Sequence, residues 1–107
     1  MSMRQQGGAV DVTVTQEAVL KGEPVLADGF HGIAMQNASS GDEIAIEIAQ
    51  RVHELNVGSL TAAKGDILYI TAAGALTNTV GSNKKFGKVV SAKDSNSIAW
   101  VLLLPQQ

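Results

Sequence analysis

The chain contains no cysteine, which excludes disulfides, thiol nucleophiles and thiolate metal sites and fits a reducing compartment. Aromatic residues are confined to Phe30, Tyr69, Phe86 and Trp100. The core is therefore left to Val, Ile, Leu and Ala, which suit thin sheets better than a large ligand cavity. No run approaches the ~20 apolar residues that a membrane helix needs. Residues 1–6 carry Arg4 with no apolar segment behind it, so no signal peptide is read either. The expectation is a soluble, unexported chain with no membrane partner. A basic excess is also missing: the formal charge is -2 and the sequence pI is near 5.5, which argues against nucleic acid as a partner. The Lys and Arg residues are scattered apart from Lys84, Lys85 and Lys88, a trio expected to form a solvated turn.

What is present is a repeat. Lys64-Gly65-Asp66-Ile67-Leu68-Tyr69-Ile70 joins a turn pair to an acidic residue and a compact apolar run, the composition of a short strand. The same opening occurs at Lys21-Gly22-Glu23-Pro24-Val25-Leu26. Behind the first copy, Phe30-His31-Gly32-Ile33-Ala34 leads to the run at Ile44; behind the second, Phe86-Gly87-Lys88-Val89-Val90 leads to Ile98. The 107 residues are read as a flexible arm over 1–9 and one β domain over 10–107. The domain has two related halves, each running strand, glycine-bearing strand, long strand.

In chain order, Val10, Val12 and Val14 alternate as on a strand buried on one face. Residues 16–20 form a link, and Pro24 places the next strand just after itself or at a sheet edge. Asp28-Gly29 is a hairpin turn from which 30–35 return, and 37–42 read as loop. Residues 43–55 are ambiguous. Ile44, Ile46 and Ile48 alternate as in a strand, whereas Ile44, Ile48, Val52 and Leu55 also fall at helical spacing with Ser40 or Asp42 as cap. The β-branched density and the counterpart at 98–104 favour strand, with a bulge near His53. Residues 71–83 read as a loop or small hairpin about Gly74, and 93–96 as a turn. In the last strand Ile98, Trp100, Leu102 and Leu104 share one face while Ala99, Val101 and Leu103 share the other. This pattern predicts a strand covered on both sides, or on one side by another subunit, with Trp100 in the core. Short strands at this spacing, broken by Gly, Asn, Asp and Ser, indicate an all-β sandwich or small barrel.

The sequence carries no recognisable catalytic pattern. His31, His53 and a carboxylate such as Glu54 could ligate a metal, but they lack close ligand spacing, and solvent-facing or structurally bonded histidines are the reading. Asp42 and Glu43 point opposite ways in an extended segment, and with Glu47 they describe a solvated edge rather than an acid/base pair. Gly81-Ser82-Asn83-Lys84-Lys85-Phe86-Gly87-Lys88-Val89 has five residues between its glycines where the phosphate loop has four. Val89 stands where a hydroxyl should be, and a strand rather than a helix follows. No Gly-x-Ser-x-Gly pattern is present. No catalytic, cofactor-binding or metal residue is assigned, no cofactor is expected, and the chain is read as a non-enzyme.

Gly22–Val25, Gly32-Ile33-Ala34, Arg51-Val52-His53-Glu54-Leu55, Lys64–Tyr69, Ala75-Leu76-Thr77-Asn78-Thr79 and Phe86-Gly87-Lys88-Val89 occur in an order with a known counterpart. The chain resembles the capsid cement, or decoration, proteins of tailed phages and prophages, a family formerly catalogued as a domain of unknown function and sometimes mislabelled as RecA/RadA-type recombinases. The likeness runs from Gly8 to Leu104. Arg51 and His53 depart from it, standing where Gly-Val and an aromatic residue precede the acidic one. The resemblance implies a structural subunit, made in the host bacterial cytoplasm, that binds the outside of an expanded phage head and bridges neighbouring major capsid proteins. It also implies a homo-oligomer, a trimer favoured, for which the apolar faces of Ile98–Leu104 offer a contact; the arm would order against the capsid. The alternative is a non-enzymatic β-sandwich module of the phage particle for ligand binding or adhesion, which requires an exposed aromatic platform from Trp100 or Tyr69.

Overall fold

A computed structural model of the protein describes residues 8–106; residues 1–7 of the expected arm lie outside them. The fold is all-β, in three sheets with a curled half-barrel. In chain order the strands are β1 (Ala9–Thr13), β2 (Ala18–Val19), β3 (Pro24–Ala27), β4 (Phe30–Ala34), β5 (Ala38–Ser39), β6 (Glu43–Glu47), β7 (Val52–Asn56), β8 (Ile67–Ile70), β9 (Leu76–Thr77), β10 (Lys84–Ser91) and β11 (Ile98–Leu103). One sheet has the order β1-β6-β4-β3, the second β7-β11-β10-β8-β9, and β2 pairs with β5 in a third. All pairings are antiparallel.

The sequence repeat is a repeat of wiring. β7-β11-β10-β8 follows the same path as β1-β6-β4-β3: the first strand of each half pairs with its last, and the last with the glycine-bearing strand. Each Lys-Gly opening makes the same turn. Gly22 and Gly65 have φ of 90° and 93°, the left-handed value that glycine adopts without steric penalty at the third position of a type II turn. Glu23 closes its turn by accepting from Leu20 N through Oε1 (2.8 Å) and donating its own N–H to Leu20 O (3.0 Å). Asp66 does the same with Ala63 (2.9 and 3.0 Å). The turn is then tied to the third strand of its half. Gly22 N donates to Ala34 O at 2.8 Å and Ala34 N to Glu23 O at 2.9 Å; Gly65 and Asp66 bond Val89 identically at 2.7 and 2.8 Å.

The expected hairpin is a two-residue turn in which Asp28 (φ 53°) and Gly29 (φ 82°) are both left-handed, the geometry whose twist matches the flanking strands. Pro24 opens β3 at a sheet edge, where its missing N–H costs no ladder bond.

Four expectations are corrected. Residues 43–55 are not one strand with a bulge at His53 but two strands in different sheets. Ile48 N makes the last bond to the first half (Gly8 O, 2.6 Å), Arg51 N turns back on Ala49 O (2.8 Å), and Arg51 O accepts from Leu103 N (2.9 Å) to open the second sheet. The bulges lie in β10 instead, between Lys85 and Gly87 and between Val89 and Ser91. Lys84, Lys85 and Lys88 belong to β10 and not to a turn, because Phe86 and Val89 are drawn into the core from the same strand. The link at 16–20 and the loop at 37–42 each contribute two residues to the small β2–β5 sheet, where Val19 and Ala38 are buried. Ala9, placed in the expected arm, is the first residue of β1 and pairs with Glu47.

The core falls into two clusters that meet across β3 and β4. Val10, Val12, Val14, Val19, Val25, Ile44 and Ile46 fill the first half. Leu55, Leu68, Ile70, Phe86, Val89, Val101 and Leu103 fill the second, together with Ile33 of β4 and, partly buried, Leu26 of β3. The β3–β4 hairpin thus carries apolar side chains on both faces and is covered on both, each buried side chain contributing about 1.5–3 kcal/mol.

Candidate interaction surface

His31, the only fully buried polar side chain described, sits where the halves meet. Its ring packs on Phe86 with centroids 5.8 Å apart, and Nε2 donates to the carbonyl of Leu104 at 2.9 Å. Gln106 treats His31 as a strand partner: its Oε1 accepts from His31 N at 2.8 Å and its Nε2 donates to His31 O at 2.7 Å. The segment after β11 is thereby clipped onto β4. With Nε2 as donor, Nδ1 keeps a lone pair that meets no hydrogen-bond partner. Burial pushes the His31 pKa below its ordinary value; the Leu104 carbonyl opposes this, and the charge of Lys84 adds to it. Below pH about 6.5 the unfolded chain takes up a proton that the folded one refuses, so stability is full above that pH and is lost as pH falls towards the folded value. A wild-type melting temperature that drops between pH about 7.5 and 5.5 more steeply than that of His31→Gln is the expected result. Parallel slopes would remove His31 as the cause.

The other chemical candidates are dispersed. His53 lies in β7 in the other sheet, and Glu54, its neighbour along an extended strand, points to the opposite face. Glu47 pairs with Arg51 Nε at 3.3 Å, and His53 Nε2 lies 3.5 Å from the same carboxylate, at the crossing between the sheets. Asp42 Oδ2 accepts from Ser39 N at 2.9 Å as a turn cap. Among the described residues no three His, Cys, Asp or Glu side chains converge as metal ligands. The lysines after Gly81 enter a strand, and among the described residues no helix terminus meets the loop. One open crevice of about 420 Å³ runs between the halves, lined by Gln16, Glu23, Pro24, Asn56, Leu60 and Gly74 among others. Among the described residues its one carboxylate is Glu23, the turn cap already described, and the Gln16 amide accepts from Leu26 N at 3.2 Å. These polar groups bind the chain to itself.

The surface that stands out is the outer face of β7, β11, β10 and β8. Ala99, Val101 and Leu103 point inward and are buried, but Trp100 is 45% exposed, Val52 45% and Val90 36%. The expected core position of Trp100 is corrected: both faces of the strand are apolar, and alternation does not say which one the chain itself covers. In the register Trp100 lies between Glu54 and Ser91, and Leu102 between Val52 and Lys88; Lys88 is opposite Ile67, and Lys85 opposite Tyr69. The face is therefore an apolar stripe with a carboxylate on the β7 flank and two ammonium groups on the β10 flank. Tyr69 is separated from Trp100 by β10, so the two rings do not form one platform. A smaller apolar spot, Leu20 and Met35, sits at the first Lys-Gly turn.

The sequence model of the phage cement protein family matches residues 4–103, which takes in both halves and the whole of this face. No curated protein and no solved structure gives a significant match.

Proposed function

The chain belongs to the phage cement protein family, structural proteins of the phage capsid rather than an enzyme class, and from that premise we propose that it binds the outside of an expanded head and stabilises contacts between major capsid proteins. The family match carries this reading. The molecule is compatible with it: His31, Glu23, Asp42 and Asp66 are engaged in turns and clips, and Trp100, Val52 and Val90 leave an apolar stripe on an outer sheet face, suited to protein contact. The mechanism is mass action. A subunit that binds only the expanded shell stabilises it by RT ln(1 + [L]/Kd) per site, about 2.7 kcal/mol at a free concentration a hundred times Kd. Repetition over a lattice multiplies this, and linkage of subunits into a homo-oligomer, a trimer favoured, raises avidity further.

The test is co-sedimentation of the purified protein with expanded heads of the matching major capsid protein, with unexpanded proheads as control. Saturable binding to expanded heads alone is expected. Binding to neither particle would overturn the reading. The exposed Trp100 supports a second one, a non-enzymatic ligand-binding or adhesion module, since an exposed aromatic face stacks on a sugar ring; a positive glycan screen with no head binding would favour it.

A further inference from the structure

We infer that the outer face of β7, β11 and β10 is the surface through which one copy of this chain binds another, the acidic flank of one lying on the basic flank of the next. The inference rests on the homo-oligomer in the reading above and gives it a location. Three observations carry it. The large apolar side chains Trp100, Val52 and Val90 are exposed on the outer side of one sheet, and aromatic anchors of this kind dominate protein–protein contacts. The stripe is bounded by opposite charges, Glu54 on β7 and Lys85 and Lys88 on β10. All three are exposed, and among the described residues none has an ion-pair partner within the chain.

The geometry makes the face self-complementary. β7 and β10 flank β11 on opposite sides. Turning one copy over about a line along β11 therefore lays its β7 on the partner's β10, and Trp100 and Leu102 meet at the centre. Glu54 is level with Trp100 and Lys88 with Leu102, an offset of two residues, about 7 Å along the strand, which a lysine side chain spans. A closed ring in which each copy offers its acidic flank to the next satisfies the same pairing. A turn about a line across the strands would instead stack β7 on β7 and bring like charges together, so the charges select the orientation and the apolar stripe supplies affinity.

Sedimentation of the full chain at micromolar concentration tests this without capsids. The wild type is expected to associate. Glu54→Lys and Lys88→Glu are each expected to weaken association about tenfold or more, and the double variant to recover most of the loss. All three residues of the charge pattern are exposed, so melting temperatures serve as the folding control. A wild type that stays monomeric, or a double variant no stronger than the singles, would overturn the inference. Association without head binding would overturn the capsid reading and leave this one standing. Monomers that bind heads and shield Trp100 from a fluorescence quencher would do the reverse, giving the face to the shell.

Discussion

Replacing Phe86 by alanine is expected to destabilise the fold by about 3–5 kcal/mol. Phe86 is the largest fully buried side chain described. It stands in β10, inside the second core cluster, with its ring against His31 of the first half. Truncation removes the transfer free energy of the ring and leaves a void at the seam that neighbours on two sheets cannot both move to fill. Domains of this size have about 5–15 kcal/mol in all, so the loss consumes a large share. At about 4–8 °C per kcal/mol, the melting temperature should fall by more than 10 °C. Urea unfolding monitored by Trp100 reads the change directly, and a loss below about 1 kcal/mol would mean that the seam between the halves closes around the gap.

A second large effect is expected from a single methyl group. A Cβ on Gly32 would fall on the backbone carbonyl of Glu47, with Ile46 Cδ1 at 3.2 Å. At the equivalent Gly87 it would fall on Val101 Cγ1, with the Leu102 carbonyl at 3.0 Å. Neither glycine has a positive φ, so the argument is one of close approach alone. Gly32→Ala must push a backbone strand away from its partner, whereas Gly87→Ala meets first a side-chain methyl that can turn. Overpacking usually destabilises by about 1–3 kcal/mol, and Gly32→Ala is expected at or beyond the top of that range with Gly87→Ala below it. Chemical unfolding of the pair gives the ranking, and the reverse order would overturn the distinction.

Much of the fold could be read from residues whose chemistry admits few conformations. Gly22 and Gly65 announce their turns because each needs a left-handed backbone beside an acidic cap. Asp28-Gly29 announces its hairpin, Pro24 its edge, and the recurrence of the whole series announces the duplicated wiring. The break at 48–51 is hidden because Ala49, Gln50 and Arg51 include neither glycine nor proline, and the isoleucine alternation before it continues plausibly into Val52. The side of β11 left open is hidden for a different reason: alternation distinguishes two faces but does not say which one its own chain covers, and Trp100 looks like core by composition. The two-residue strands β2 and β5 are too short to carry a period at all. The clip of Gln106 on His31 joins residues 75 apart by a side-chain amide standing in for a strand, which no local pattern encodes.

That clip bears on how the protein comes off the ribosome. The first half pairs its opening strand with its last, so it can close once Glu47 has emerged. At that moment the back of the β3–β4 hairpin, with Leu26, His31 and Ile33, still has nothing over it, because every residue that covers it is translated later. The nascent chain therefore travels for the length of a second half with one wall of its finished half open to chaperones and to neighbouring chains. His31 is sealed only when Leu104 and Gln106, made after every strand, swing back across it.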